Sequence, residues 1–312
     1  AVVRTPAQIW KVATAVDRGS IEAVRPLRSA VVLFLGLTLV VVDHGVLLAL
    51  LPFGMGLQLT ALADHGGEVR TRSVHMLATL LAITVGTGLG GVVSHAPVAH
   101  VLVGAALALV CGYAGALGSE WLSAGVLLLV VYAIFAGAPI TLLHTGQNMA
   151  WIVAGGVVMI ASMLLEAVVV RVVRRHPMPR PAPPSLADRV ALARTHFRWN
   201  DRYALHALRL CAVTTVAILI SLTEPFAHAY WIPMTVAWIT RPDVDGTIDR
   251  IALRMIGTVV GLLISGALFA AFHPGDEWSI AILSVAAFVA AVFVVPNFAI
   301  SVIGVTTFVF FL

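Results

Sequence analysis

The sequence predicts an all-α, polytopic membrane protein built from two parallel six-helix repeats. Three observations lead there. Of 312 residues, 60% are hydrophobic and only 11% charged, with a mean hydropathy of +1.00; a soluble domain carries about 25% charged residues. Apolar runs such as Met149 to Val170 and Ile251 to Phe272 are long enough to cross a hydrocarbon core of roughly 30 Å. The third observation is internal repetition, described below.

Residues 1–26 mix apolar side chains with Arg4, Lys11, Arg18 and Arg25, and read as a cytoplasmic amphipathic lead-in. The first repeat, 27–173, holds spans at 27–42, 45–60, 74–93, 99–117, 121–143 and 149–170. Residues 174–205 form a basic, proline-rich linker. Within it "SLADRVALARTHFRW" predicts a short surface helix, with Ser185 as N-cap and Asp188 in the first turn. The second repeat, 206–312, holds spans at 206–222, 228–240, 253–272, 278–295 and 298 onward. That makes about eleven spans. A six-helix repeat implies a twelfth after Leu312, so the second repeat is expected to be truncated.

With the N-terminus inside, all 19 Lys and Arg fall on cytoplasmic segments or their membrane edges, while "SHAPVAH", "TEPFAHAY" and "HPGDEW" have none. The net charge of +4 therefore predicts orientation and contact with anionic lipids on the cytoplasmic side, not nucleic acid. Cys111 and Cys211 both lie in apolar segments and imply neither a disulfide framework nor a metal site.

The repetition is weak in identity and clear in order. At an offset of 181, Arg28 meets Arg209 and Pro52 meets Pro233; at 180, Gly66 meets Gly246, Arg70 meets Arg250 and Gly86 meets Gly266. Six spans before the second half make the repeats parallel. Pro52 and Pro233 each sit in a short apolar segment, so short proline-broken helices are expected at matching positions. Such pairs point towards a transporter site; plain kinks are the alternative.

The stretch "YWIPMTVAWITRPDVDGTIDRIALRMIGTVVG" resembles the signature of the fusaric acid resistance (FUSC-like) family of bacterial inner-membrane proteins, which includes aromatic acid exporters. The matching residues are Tyr230, Trp231, Pro233, Thr235, Pro242, Arg250, Arg254, Gly257, Thr258 and Gly261. The resemblance implies efflux of a small organic anion across the inner membrane, coupled to the proton gradient; no cofactor is expected. The halves here are joined by about 35 residues where larger members carry a sizeable soluble domain.

Arg250 and Arg254 are four apart and share a helix face; Arg70 and Arg72 sit comparably in the first half. They could gather carboxylates or simply anchor the cytoplasmic edge. Tyr230, Trp231 and Trp238 could stack on an aromatic ring or form an interfacial belt. Thr235 and Thr258 could offer hydroxyls or bond their own helices. Glu166 lies within a span and reads either as a proton-coupling carboxylate or as the structural partner of an arginine. Asp43 and His44, in the turn after the first span, are further proton-coupling candidates, or a solvated turn. The glycines of "VGTGLGGV" and "GTVVGLLISG" read as helix-packing residues.

No HExxH, GxSxG or metal-spacing cluster argues for an enzyme. The leading expectation is a secondary exporter of small organic anions, aromatic carboxylates foremost. A passive organic-anion channel and a non-catalytic membrane subunit, homo-oligomeric or accessory to a larger assembly, are the alternatives.

Overall fold

A computed structural model describes residues 6–42, 49–173, 186–196, 201–224, 226, 228–273 and 276–311. The described residues form α-helices joined by short turns: α1 (Pro6–Thr14), α2 (Val24–Val42), α3 (Leu50–Leu62), α4 (Val69–Val93), α5 (Pro97–Tyr113), α6 (Ser119–Ala136), α7 (Leu142–Val173), α8 (Leu186–Thr195), α9 (Arg202–Thr223), α10 (Trp231–Ile239), α11 (Val244–Phe272), α12 (Asp276–Phe293) and α13 (Phe298–Phe311). Each segment drawn from the sequence overlaps one of these helices. Seven are long and apolar enough to cross a membrane: α2, α4, α5, α6, α7, α9 and α11. Asp43, His44 and Ser185 lie outside the described residues.

The order of packing follows from side-chain size and polarity. α3, "LLPFGMGLQLTAL", is apolar nearly all round and accordingly buried, with Pro52 through Gln58 and Thr60 inside. α2, α4 and α7 surround it. Two glycines a turn apart bring α4 onto α6: a Cβ at Gly86 would stand 2.7 Å from the Leu128 carbonyl oxygen, and one at Gly90 2.7 Å from that of Tyr132. Gly257 plays that part between α11 and α13, where a Cβ would stand 2.6 Å from the Ala299 carbonyl. Gly266, aligned with Gly86 in sequence, meets nothing within 4 Å.

Across the two halves the pairing is crossed. α5 lies along α9, and α12 lies along α2; α10 rests between α6 and α9. α8 docks beneath the first half, where Tyr113 donates to the Ala193 carbonyl at 2.7 Å and Arg189 to that of Leu117 at 3.3 Å.

The expectation of proline-broken helices is corrected. Pro52 and Pro233 are each the third residue of their helices, α3 and α10. The first four N–H groups of a helix have no intrahelical acceptor, so a proline there forfeits nothing, and its fixed φ suits the first turn. Each proline thus sits in the first turn of a short helix and does not break it. With 9 residues, α10 is only about 13 Å long.

Candidate functional site

Between α10, α11 and α13 on one side and α3 and α6 on the other lies a cavity of about 930 Å³. It runs from a charged end, at the turns after α3 and α10, up to Tyr230 and Trp231 at the start of α10. Four arginines line it, Arg25, Arg241, Arg250 and Arg254, with two carboxylates, Glu22 and Asp64.

Both carboxylates are already engaged by arginines of the first half. Glu22 pairs with Arg25, which holds its carboxyl below the usual range. Arg25 in turn donates to the Asp64 carbonyl at 2.7 Å. The Asp64 side chain is 1% exposed and sits in the α3–α4 turn, where Gly66 and Gly67 take positive φ. It receives Nε and Nη2 of Arg72, each at 2.8 Å, and Nη2 of Arg28 at 2.6 Å. Burial pushes the Asp64 pKa up, but the hydrogen bonds from Arg72 and Arg28 outweigh it and hold the carboxyl down at about 2. Glu166 of α7 closes the cluster, bonded to Arg28 and, at 3.1 Å, to Arg72. Four helix ends are thus fastened by alternating charges.

The second half is different. Among the described residues, Arg241, Arg250 and Arg254 have no carboxylate within ion-pair distance. Arg250 lies over the Phe298 ring, 4.1 Å from its centroid. Arg254 reaches Thr235 Oγ1 at 3.5 Å with one nitrogen, and its other terminal nitrogen is buried without a partner. Burial also pulls the Arg241 pKa down, opposed by Asp243 in the same turn. A half-buried cation without a carboxylate partner is costly. A carboxylate bound in the cavity would remove that cost, and the walls beside it are apolar and aromatic, with Trp231, Trp238 and Phe298. Gln58, whose Oε1 is buried and unpartnered, faces the same space.

The sequence-derived candidates are therefore only partly united. Tyr230, Trp231, Thr235, Arg250, Arg254 and Thr258 all line the cavity. Pro52 and Pro233 are buried in helix packing and Arg70 is exposed at the start of α4; none of the three is part of the lining. Glu166 stands in the first-half ion cluster, 22% exposed, and its partners are Arg28 and Arg72. Arg241 and Phe298 were missed. Arg241 stands in the "ITRPD" turn and was visible as a cation beside the short segment. Phe298 lies 48 residues from Arg250, beyond the reach of any local pattern.

Long apolar helices around a basic, aromatic-walled cavity define the class: a multi-pass helical membrane protein. Residues 216–312 match the family model described as "Fusaric acid resistance protein-like", so this part of the chain is similar to that family, as the Tyr230–Gly261 stretch suggested. Among curated proteins it is similar to the "Uncharacterized membrane protein YvaC" of Bacillus subtilis (strain 168), 28% identical over 38% of this chain and 19% of that one. It is also similar to the "Inner membrane protein YccS" of Escherichia coli (strain K12), 31% identical over 27% of this chain and 12% of the relative. An "Uncharacterized protein" of Haemophilus influenzae is 30% identical over 27% of this chain and 11% of its own length. The matches thus span under a fifth of each curated relative. No solved structure matches the chain.

Proposed function

We propose that this chain is the membrane part of a secondary exporter for small organic anions, aromatic carboxylates above all, acting in the bacterial inner membrane with its N-terminus and the charged end of the cavity facing the cytoplasm. The observation that carries the reading is the group Arg241, Arg250 and Arg254, unpaired with carboxylates among the described residues, at one end of an aromatic-walled cavity. Arginine grips a carboxylate through paired N–H donors, and Trp231 and Trp238 supply flat apolar surface for a ring. Anionic lipids would meet the basic end. In this reading the two halves are parallel six-helix repeats; the crossed pairs α5–α9 and α12–α2 are the contacts that a two-fold axis along the membrane normal generates. Coupling to the proton gradient is part of the proposal. The pairing of Glu166 with two arginines favours its structural role and leaves Asp43 and His44 as the coupling candidates.

Uptake of a labelled aromatic carboxylate into inside-out vesicles, with and without an imposed proton gradient, tests this. Gradient-dependent uptake lost in Arg254→Ala supports the exporter. Gradient-independent flux identifies a passive channel, and no flux of any aromatic acid refutes transport.

A second reading rests on α7. It fills the groove between α3 and α4, where a Cβ at Gly56 would stand 2.2 Å from the Ile152 carbonyl oxygen, and it brings Glu166 to Arg28 and Arg72. The corresponding groove between α10 and α11 is where the cavity lies. An acidic apolar helix of a partner protein seated there would neutralise Arg250 and Arg254, and this protein would then be a subunit of a larger assembly. A co-purifying membrane partner lost in Arg254→Ala, with no flux, favours this reading.

A further inference from the structure

The segment between α1 and α2 crosses the charged end of the cavity. Its Ser20 and Glu22 are part of the lining. It is held from both halves. On the first-half side, Glu22 pairs with Arg25, and Arg25 bonds the Asp64 carbonyl. On the second-half side stands Asn297, 5% exposed, in the turn before α13. Its Oδ1 accepts from the Ile300 N–H at 3.0 Å and so caps the start of α13. Its Nδ2 donates to the carbonyls of Ala13 and Ala15, both at 2.8 Å, and so satisfies the orphan carbonyls that end α1. Every hydrogen of that amide is used. The Asp17 N–H adds a bond to the Pro296 carbonyl at 3.2 Å.

The clamp also bears on the site. Val12 and Ala13 of α1 pack with Leu253, Ile256, Phe298 and Ala299. Phe298 is the ring on which Arg250 lies. A released α1 would therefore free the segment that carries Ser20 and Glu22 from the cavity end and loosen the support of one of its arginines.

We infer that α1 and residues 15–23 form a latched gate over the charged end of the cavity, and that Asn297 is the latch. The inference rests on the cavity being a passage for a ligand. Its test measures access alone, so that it stands or falls apart from transport.

Asn297→Asp separates the two roles of this side chain. It keeps an acceptor for Ile300 and removes both donors to α1, placing a carboxylate against two carbonyls. Losing two buried hydrogen bonds shifts a closed–open balance by roughly tenfold to a hundredfold. In inside-out vesicles, with Cys111→Ala and Cys211→Ala as background, Thr258→Cys reports arrival of a membrane-impermeant thiol reagent. The expected result is slow labelling in that parent and labelling at least about tenfold faster once Asn297→Asp is added. A second arm closes the gate: Asp17→Cys with Pro296→Cys, whose backbones are already hydrogen-bonded, should form a disulfide and suppress labelling until a reductant is added. Unchanged labelling in folded Asn297→Asp overturns the inference. Should that variant fail to fold, labelling that is indifferent to the formed disulfide overturns it equally. Latch-dependent labelling in a protein that moves no anion would refute transport and keep the gate.

Discussion

Replacing Asp64 by Asn should unfasten the first half. The substitution keeps size and one acceptor but removes the charge that receives two nitrogens of Arg72 and one of Arg28. Those arginines are 9% and 12% exposed, and the carboxylate only 1%. Breaking a buried pair from one side costs about 3–5 kcal/mol, because the remaining charge stays buried. Glu166 still bonds both arginines, so the lower end, about 3 kcal/mol, is expected. Thermal unfolding in detergent should show a midpoint lower by roughly 5–10 °C. The acid limb gives an independent check. The Asp64 carboxyl titrates near 2 in the folded protein against an ordinary 3.8. A depressed pKa stabilises the fold above the unfolded value and stops doing so as pH falls through the folded one. The contribution is then about 2 kcal/mol above pH 4, lost progressively towards pH 2, and Asp64→Asn should flatten this limb. Arg72→Met and the double variant complete a cycle in which the double costs less than the sum of the singles. An Asp64→Asn protein within about 0.5 kcal/mol of the parent, or strictly additive costs, would refute the reasoning.

Three further outcomes are expected. Gly155→Ala places a Cβ 2.3 Å from the Phe53 carbonyl oxygen, a backbone atom that cannot swing aside, so α7 should separate from α3 at a cost of about 1–3 kcal/mol or more, read as lost thermal stability in detergent. Arg254→Lys keeps the charge but loses the paired donors; it should weaken binding of an aromatic carboxylate roughly tenfold by tryptophan quenching, while Arg254→Ala abolishes it. Tyr132→Phe removes a buried 2.7 Å bond to the His100 carbonyl and should cost about 1 kcal/mol with the fold unchanged.

What could be read in advance divides by distance along the chain. Helix positions followed from apolar runs, and the packing role of Gly86 and Gly257 from small residues on helix faces. The grouping of Trp231, Thr235, Arg250, Arg254 and Thr258 was legible because one hairpin carries them all. The prolines were located correctly but misread: periodicity shows a proline in an apolar segment, not whether the helix has begun. The partners of Glu166 could not be read, since Arg28 is 138 residues away and Arg72 is 94. Nor could the double cap by Asn297, where the bonds close over 284 and 282 residues. Long-range charge pairing leaves no local periodicity.

The crossed pairing of α5 with α9 and of α12 with α2 limits how the molecule can move. Each half lends a helix to the wall of the other, like two hands with fingers laced. Swinging the halves apart as blocks would shear both seams at once. α11, which carries Arg250 and Arg254, is less enclosed and leans chiefly on α13. A change of shape is thereby channelled towards α11 and the end that the segment between α1 and α2 covers. Two pieces cut between 174 and 185 should still find each other and reassemble, because the lacing, not the linker, keeps them together.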